Sequence, residues 1–299
     1  MMHFPIKGIG VVNATPLHSD DTLNEEEYRR HIRWLAECGV GFIQPCAATG
    51  QAMQTTEAEF RRILEISVEE LKGRVLITAY TGRPGTADTI RLTRLARDVG
   101  ADAAYLIQPF FTRPDAEGIY LHYRAVAEAV PGFPLVFYNN AERAGVQIPL
   151  SVIERLVDEF DNFVGLKQSD INQVSASYGR LRKKITVWPK AEQELLTALA
   201  HGSPGVLTFA GNLVPRELVQ IVNAWNAGDL DTAREIYFRI LPLMEMIHLE
   251  PVPGVIKYVL GKMGWNFGPC RLPIHDTRPE TREQVDKILA EIGLLAVPA

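Results

Sequence analysis

Lys167 ends the apolar run Asn162-Phe163-Val164-Gly165-Leu166-Lys167, and that placement gives it a chemistry that an exposed lysine lacks. Such a run reads as a buried strand, whose tip would hold the amine in a low-dielectric pocket that disfavours the ammonium form. An amine without its proton at neutral pH can attack a carbonyl, which is the first step of Schiff-base catalysis. Tyr138 ends an earlier run, Pro134 to Tyr138. If the two runs are neighbouring strands about 5 Å apart, the phenol can move protons for a carbinolamine and an enamine. The alternatives are plain: Lys167 as a strand-end ion-pair lysine, and Tyr138 as a core aromatic with a satisfied hydroxyl.

Lys190, in Trp188-Pro189-Lys190, is the competing strand-end lysine, but Glu192 and Glu194 would hold it charged. Ala47-Ala48-Thr49-Gly50-Gln51 follows another apolar run. Its small residues let backbone N–H groups come close to an anion such as a carboxylate, or make an ordinary tight strand-to-helix turn. The chain has no G-x-S-x-G elbow, H-E-x-x-H, Walker loop or G-x-G-x-x-G, and its seven histidines lack ligand spacing. The expectation is chemistry with no cofactor and no metal. His201 reads as structural.

The elements that would carry these residues alternate regularly. Apolar or β-branched runs occur at Gly8 to Val12, Gly41 to Cys46, Val75 to Tyr80, Ala103 to Gln108, Pro134 to Tyr138, Phe163 to Lys167, Thr186 to Trp188 and Gly205 to Phe209, with helix-length segments between them. That predicts a (β/α)8 TIM barrel, whose chemistry lies at the C-terminal ends of the strands. Phe60, Ile63, Leu64, Ser67 and Leu71 share one helical face, and Thr56 with Glu59 forms a capping-box signature. Ser151 with Glu154 repeats it. From Asn223 onward the pattern is helical, with segments at Asp231 to Leu243, Val255 to Met263 and Glu280 to Ile292. The expected organisation is a barrel over residues 1–225 and a C-terminal helical domain over 226–299.

Composition narrows the partners. The 299 residues are 46% hydrophobic and 22% charged, with a net charge of -5 and no apolar stretch of membrane-spanning length. No basic stripe interleaved with aromatics offers a nucleic-acid footprint. Cys38, Cys46 and Cys270 are odd in number and far apart, so buried thiols are expected rather than disulfides. The start, Met1 to Lys7, lacks the pattern of a secretory signal, which suggests a cytoplasmic protein. Phe110-Phe111 would expose two aromatics beside the mouth unless another subunit covers them, so a homo-oligomer is expected.

Tyr138-Asn139-Asn140-Ala141-Glu142-Arg143-Ala144-Gly145 followed by Val164-Gly165-Leu166-Lys167 resembles the paired signatures of the dihydrodipicolinate synthase and N-acetylneuraminate lyase family. Thr15-Pro16, Ala47 to Gln51, Gln108-Pro109-Phe110-Phe111 with Arg113-Pro114, Gly205-Val206-Leu207, Pro251-Val252-Pro253 and Arg271-Leu272-Pro273 fall in register with it. The resemblance implies a (β/α)8 barrel with a C-terminal helical domain, assembled as a tetramer or dimer. It also implies that Lys167 forms an imine with a 2-oxo acid such as pyruvate while Tyr138 shuttles protons. Thr49 and the amide of Ala48 would hold the carboxylate, Leu207 would add backbone contacts, and Arg143 would face the second substrate.

The departures concern the second-substrate side. The family loop usually reads Gly-Thr-Thr-Gly-Glu, and here its first Thr is Ala48 and its Glu is Gln51. In the synthase that Thr relays protons from the tyrosine to a second tyrosine of the neighbouring subunit, and the second position here is Phe111. Neither Ala48 nor Phe111 has a transferable proton. Ala141 and Ala144 replace the usual Pro and Thr as well. The reading that follows is a Schiff-base aldolase or dehydratase on pyruvate or a related 2-oxo acid. A keto-deoxy sugar acid or an aromatic pyruvate adduct would suit it, with a weak tilt to a partly apolar acceptor. The rivals are the genuine synthase, condensing pyruvate with aspartate semialdehyde, and a non-catalytic barrel that binds a 2-oxo acid.

Overall fold

A computed structural model describes residues 6–189 and 192–294. Eight strands alternate with helices among them: β1 (Gly8–Val12), β2 (Phe42–Gln44), β3 (Leu76–Tyr80), β4 (Ala103–Ile107), β5 (Leu135–Asn139), β6 (Phe163–Gln168), β7 (Thr186–Pro189) and β8 (Gly205–Thr208). The fold is the (β/α)8 barrel followed by C-terminal helices. Every strand falls within two residues of the run that predicts it. The late helices, Leu230–Met246, Gly254–Lys262 and Pro279–Glu291, match their predicted segments to within about a turn. Compactness divides the chain into two units, residues 1–7 with 76–207, and residues 8–75 with 208–299.

In the unit of residues 76–207, β3 to β7 pair in parallel and in chain order. Side chains alternate across a strand, so register assigns each residue to a face. Phe137 and Phe163 stack on the helix side with centroids 4.2 Å apart, and Tyr123 of the helix Ala116–Ala129 meets Phe137 edge-on at 5.0 Å. Tyr123 also donates from its hydroxyl to the Leu106 carbonyl at 3.0 Å. With Phe137 facing the helices, the next residue, Tyr138, faces inward. Lys167 is its registered partner on β6, and Trp188 is the partner of Lys167 on β7. Two residues before Lys167, a Cβ on Gly165 would stand 2.4 Å from the ring of the fully buried Trp188 and 3.3 Å from Val136. Glycine is needed there because the indole occupies that space.

In the other unit, β1 and β2 pair in parallel, Val12 opposite Gln44. Asn212 closes the end of β1: its side chain donates to the Val12 carbonyl at 2.9 Å and accepts from the Ala14 amide at 3.1 Å. The helix Glu57–Leu71 starts with the full capping box predicted at Thr56 and Glu59. The second predicted box is absent. The helix Leu150–Glu159 is entered from Pro149, so Ser151 already lies inside its first turn and makes no cap. Cys38 and Cys46 are buried as expected, whereas Cys270 is only half-buried, on the loop Pro269 to Leu272; none of the three is in a disulfide. His201 packs on Tyr178 at 5.3 Å and bonds the Thr197 carbonyl at 2.7 Å, a structural role. Among the described residues no helix is long and apolar enough to cross a membrane, and no group of three or more His, Cys, Asp or Glu could hold a metal. Residues 1–5 and Lys190 lie outside the described residues.

Two histidines are buried neutral. His31 sits among Trp34, Trp265 and Phe267, and His122 bonds Thr86 through Nδ1 at 2.9 Å. Burial pulls each down to about 4. The unfolded chain therefore binds protons that the folded chain refuses as pH falls from about 6.5 to 4. Stability should be full above about 6.5 and decline by up to about 3 kcal/mol per histidine across that window; urea unfolding at stepped pH reads this, and His31→Leu should flatten the slope. Gly165→Ala should cost about 1–3 kcal/mol by overpacking. Trp188→Leu in the same chain should recover part of that loss, a non-additivity that a double-mutant cycle of urea midpoints measures.

Candidate active site

Tyr138 and Lys167 stand side by side at the C-terminal ends of β5 and β6. The Lys167 Nζ lies 4.9 Å from the centroid of the Tyr138 ring. Lys167 is 2% exposed and Tyr138 7% exposed, so the pair is screened from bulk water. The sequence pattern brings them together through strand register alone, with Phe137 and Leu166 on the opposite face as the counterweight.

The Tyr138 hydroxyl accepts a hydrogen bond from Asn140 Nδ2 at 2.7 Å. Asn140 is also the N-cap of the short helix Ala141–Ala144, where its Oδ1 accepts from the Arg143 amide at 3.1 Å. Its own amide donates to Gln108 Oε1 at 3.3 Å, and Gln108 Nε2 donates to the Val146 carbonyl at 2.6 Å. Asn139 completes the lacing by exchanging two hydrogen bonds with the Ile148 backbone, at 2.9 and 3.1 Å. These buried amides lock the loop after β5 onto the end of β4. Gly145 supports the same junction: it takes φ +74°, and a Cβ there would stand 2.7 Å from Arg113 Nε.

Arg143 is exposed on that short helix. Tyr80, at the end of β3, is buried with Arg83 6.0 Å from its ring centroid. Burial pushes the Tyr80 phenol above its ordinary range and Tyr138 adds to that, while the Arg83 and Arg143 guanidinium groups oppose it. Phe111 is 92% exposed at φ +71°, and Arg113 follows at φ +47°. Leu207 is buried near the end of β8.

In the unit of residues 8–75 and 208–299, Ala48 is half-buried and Thr49 is fully buried in the loop after β2. Thr49 Oγ1 has no hydrogen-bond partner among the described residues. The loop is tight: Cys46 and Gln51 take φ +55° and +54°, and a Cβ on Gly50 would meet the Asn13 carbonyl and Cys46 backbone at 3.1 Å. Gln51 donates to the Arg271 carbonyl at 2.8 Å and accepts from the Arg271 amide at 3.0 Å. Only an amide can do both, so glutamine there serves a structural pairing that a carboxylate could not complete.

Sequence reasoning missed Asn140, whose only signal was an asparagine three residues before Arg143, an N-cap spacing. It also missed a second buried lysine, Lys257, on the helix Gly254–Lys262. Burial pulls Lys257 down to about 8, and its Nζ donates to the Pro269 carbonyl at 2.6 Å. That amine is engaged in holding a loop.

The chain matches the dihydrodipicolinate synthetase family over residues 5–292. It is 31% identical over 297 residues to a 4-hydroxy-tetrahydrodipicolinate synthase of Methanopyrus kandleri, covering 98% of this chain and 99% of that protein. It is 32% identical over 291 residues to the protein of the same name from Thermodesulfovibrio yellowstonii, covering 97% and 99%. A crystal structure of dihydrodipicolinate synthase from Aquifex aeolicus superposes with a TM-score of 0.93 at 28% identity, over 98% of this chain and all of that one. A barrel whose fifth and sixth strands carry a registered tyrosine and lysine one residue before their ends, matched nearly end to end, belongs to the dihydrodipicolinate synthetase family, a family of class I lyases.

Proposed function

We propose that this lyase forms a Schiff base between Lys167 and pyruvate or a related 2-oxo acid and acts as an aldolase or dehydratase. The placement of the buried Lys167 amine beside the Tyr138 phenol carries this reading. The amine adds to the 2-oxo carbon, forming a C–N bond and a carbinolamine. The Tyr138 proton goes to the carbinolamine hydroxyl, which leaves as water; the products are an iminium and a phenolate. The iminium then takes up the electron pair of a breaking C–C bond, while the phenolate accepts the proton of the hydroxyl that becomes the released carbonyl, or it takes up the pair of a C–H bond whose proton the phenolate accepts. For the substrate carboxylate we assign Thr49 Oγ1, buried and without a partner among the described residues, and the Ala48 amide. Leu207 would contribute backbone contacts, and Arg143, exposed beside the β5 end, would meet the second substrate.

The names of the relatives favour a second reading, condensation of pyruvate with aspartate semialdehyde. Against it stand Ala48 and Phe111, which offer no proton where that synthase uses hydroxyls. A binding protein without turnover is the third. The extreme exposure of Phe111 supports assembly into a homo-oligomer, a tetramer or dimer, and residues 1–225 and 226–299 are kept as barrel and helical domain.

Borohydride with pyruvate should add mass to the native chain at Lys167 in a peptide map. A label at Lys257, or none, would overturn the assignment. Lys167→Ala should abolish turnover, and Tyr138→Phe should lower kcat by roughly 10²–10⁴-fold. Turnover of keto-deoxy acids without condensation of aspartate semialdehyde would separate the first two readings; trapping without any turnover would favour the third. Sedimentation at micromolar concentration should give a mass above one chain, and a monomer would count against the oligomer.

A further inference from the structure

We infer that Asn140 is a positioning residue that sets the direction of the Tyr138 proton. Its amide cannot be flipped. The Arg143 backbone N–H, 3.1 Å away, can only donate, so Oδ1 must face it and Nδ2 must face the Tyr138 hydroxyl at 2.7 Å. The backbone that carries the side chain is held as well: the Asn140 backbone N–H donates to Gln108 Oε1 at 3.3 Å, and the Asn140 backbone carbonyl accepts from the Ala144 amide at 3.0 Å. Asn140 is fully buried, which removes water as a substitute.

A nitrogen that can only donate makes the phenol oxygen an acceptor on that side. The phenol's own proton is therefore turned away from Asn140. The amide cannot take that proton, so Tyr138 exchanges it only with a group approaching from elsewhere. When the proton leaves, the same N–H holds the phenolate that remains. The reaction in which this matters rests on the proposed function; the hydrogen-bond direction rests on geometry alone.

Asn140→Asp separates positioning from capping. Aspartate caps a helix as well as asparagine does, so the helix start should be kept and melting lowered only by the cost of the buried charge. Its second oxygen carries no hydrogen, so the phenol must donate to it and loses its proton to the wrong side. We expect kcat to fall about 10²-fold with KM within about threefold. The deficit should narrow at acid pH, where the carboxyl gains a hydrogen and can donate as the amide did. Should Asn140→Asp fail to fold, Asn140→Ser keeps a capping oxygen while losing the amide N–H, and its kcat should fall at least about tenfold. Native-like kcat and pH profile in whichever variant folds would overturn the inference.

The proposed function can fail separately. Pyruvate trapping on the native chain comes first, and if nothing is trapped the hydrogen bond is read without turnover. Tyrosine labelled with ¹³C at Cζ, its Tyr138 resonance assigned by Tyr138→Phe, should shift in Asn140→Asp or Asn140→Ser; an unmoved resonance would refute the direction assigned here.

Discussion

The register between β5 and β6 is the constraint on which the site depends. It pairs Tyr138 with Lys167 and Phe137 with Leu166, so one face of two strands collects the polar pair and the other the apolar one. A slip of one residue in either strand would turn its member of the pair toward the helices. Burial resists the slip, because Phe137 is stacked on Phe163 and met by Tyr123. The packing that makes the strand pair a structural core is thus the packing that makes the lysine and tyrosine neighbours.

Within each unit, loop backbone is laced by side-chain amides. Gln108, Asn139 and Asn140 tie together the ends of β4 and β5, and Gln51 ties the loop after β2 to Arg271. An amide both donates and accepts, so it can satisfy two backbone groups at once in a buried place where a carboxylate would leave one unpaired. That accounts for glutamine at position 51 without any catalytic argument. It also separates the two altered loop positions, since Ala48 removes a hydroxyl and Gln51 adds a donor.

Much of the frame was legible. Strand positions followed from apolar runs because a buried parallel strand needs nearly continuous hydrophobic residues, and the Lys167 and Tyr138 tips followed from the runs ending in a polar group. The Ser151–Glu154 box failed because Pro149 and Leu150 start that helix earlier than the signature suggested. Asn140 was hidden because its role joins a local cap to a neighbouring phenol, and sequence spacing displays only the cap. Lys257 was hidden by its helix, whose apolar face gives no hint that one lysine is folded onto a carbonyl. Cys270 was expected in the core because its residue type is usually there, yet it lies on a loop between two prolines, Pro269 and Pro273.

The indole of Trp188 fills the place that a side chain at position 165 would otherwise take. Descent from a shared ancestor cannot alter one of these two positions at leisure: enlarging the glycine first jams the ring, and shrinking the tryptophan first opens a void beside the strand that carries Lys167. Lineages that change the packing here should therefore exchange both residues in close succession, leaving a correlated pair in any family tree that includes this chain.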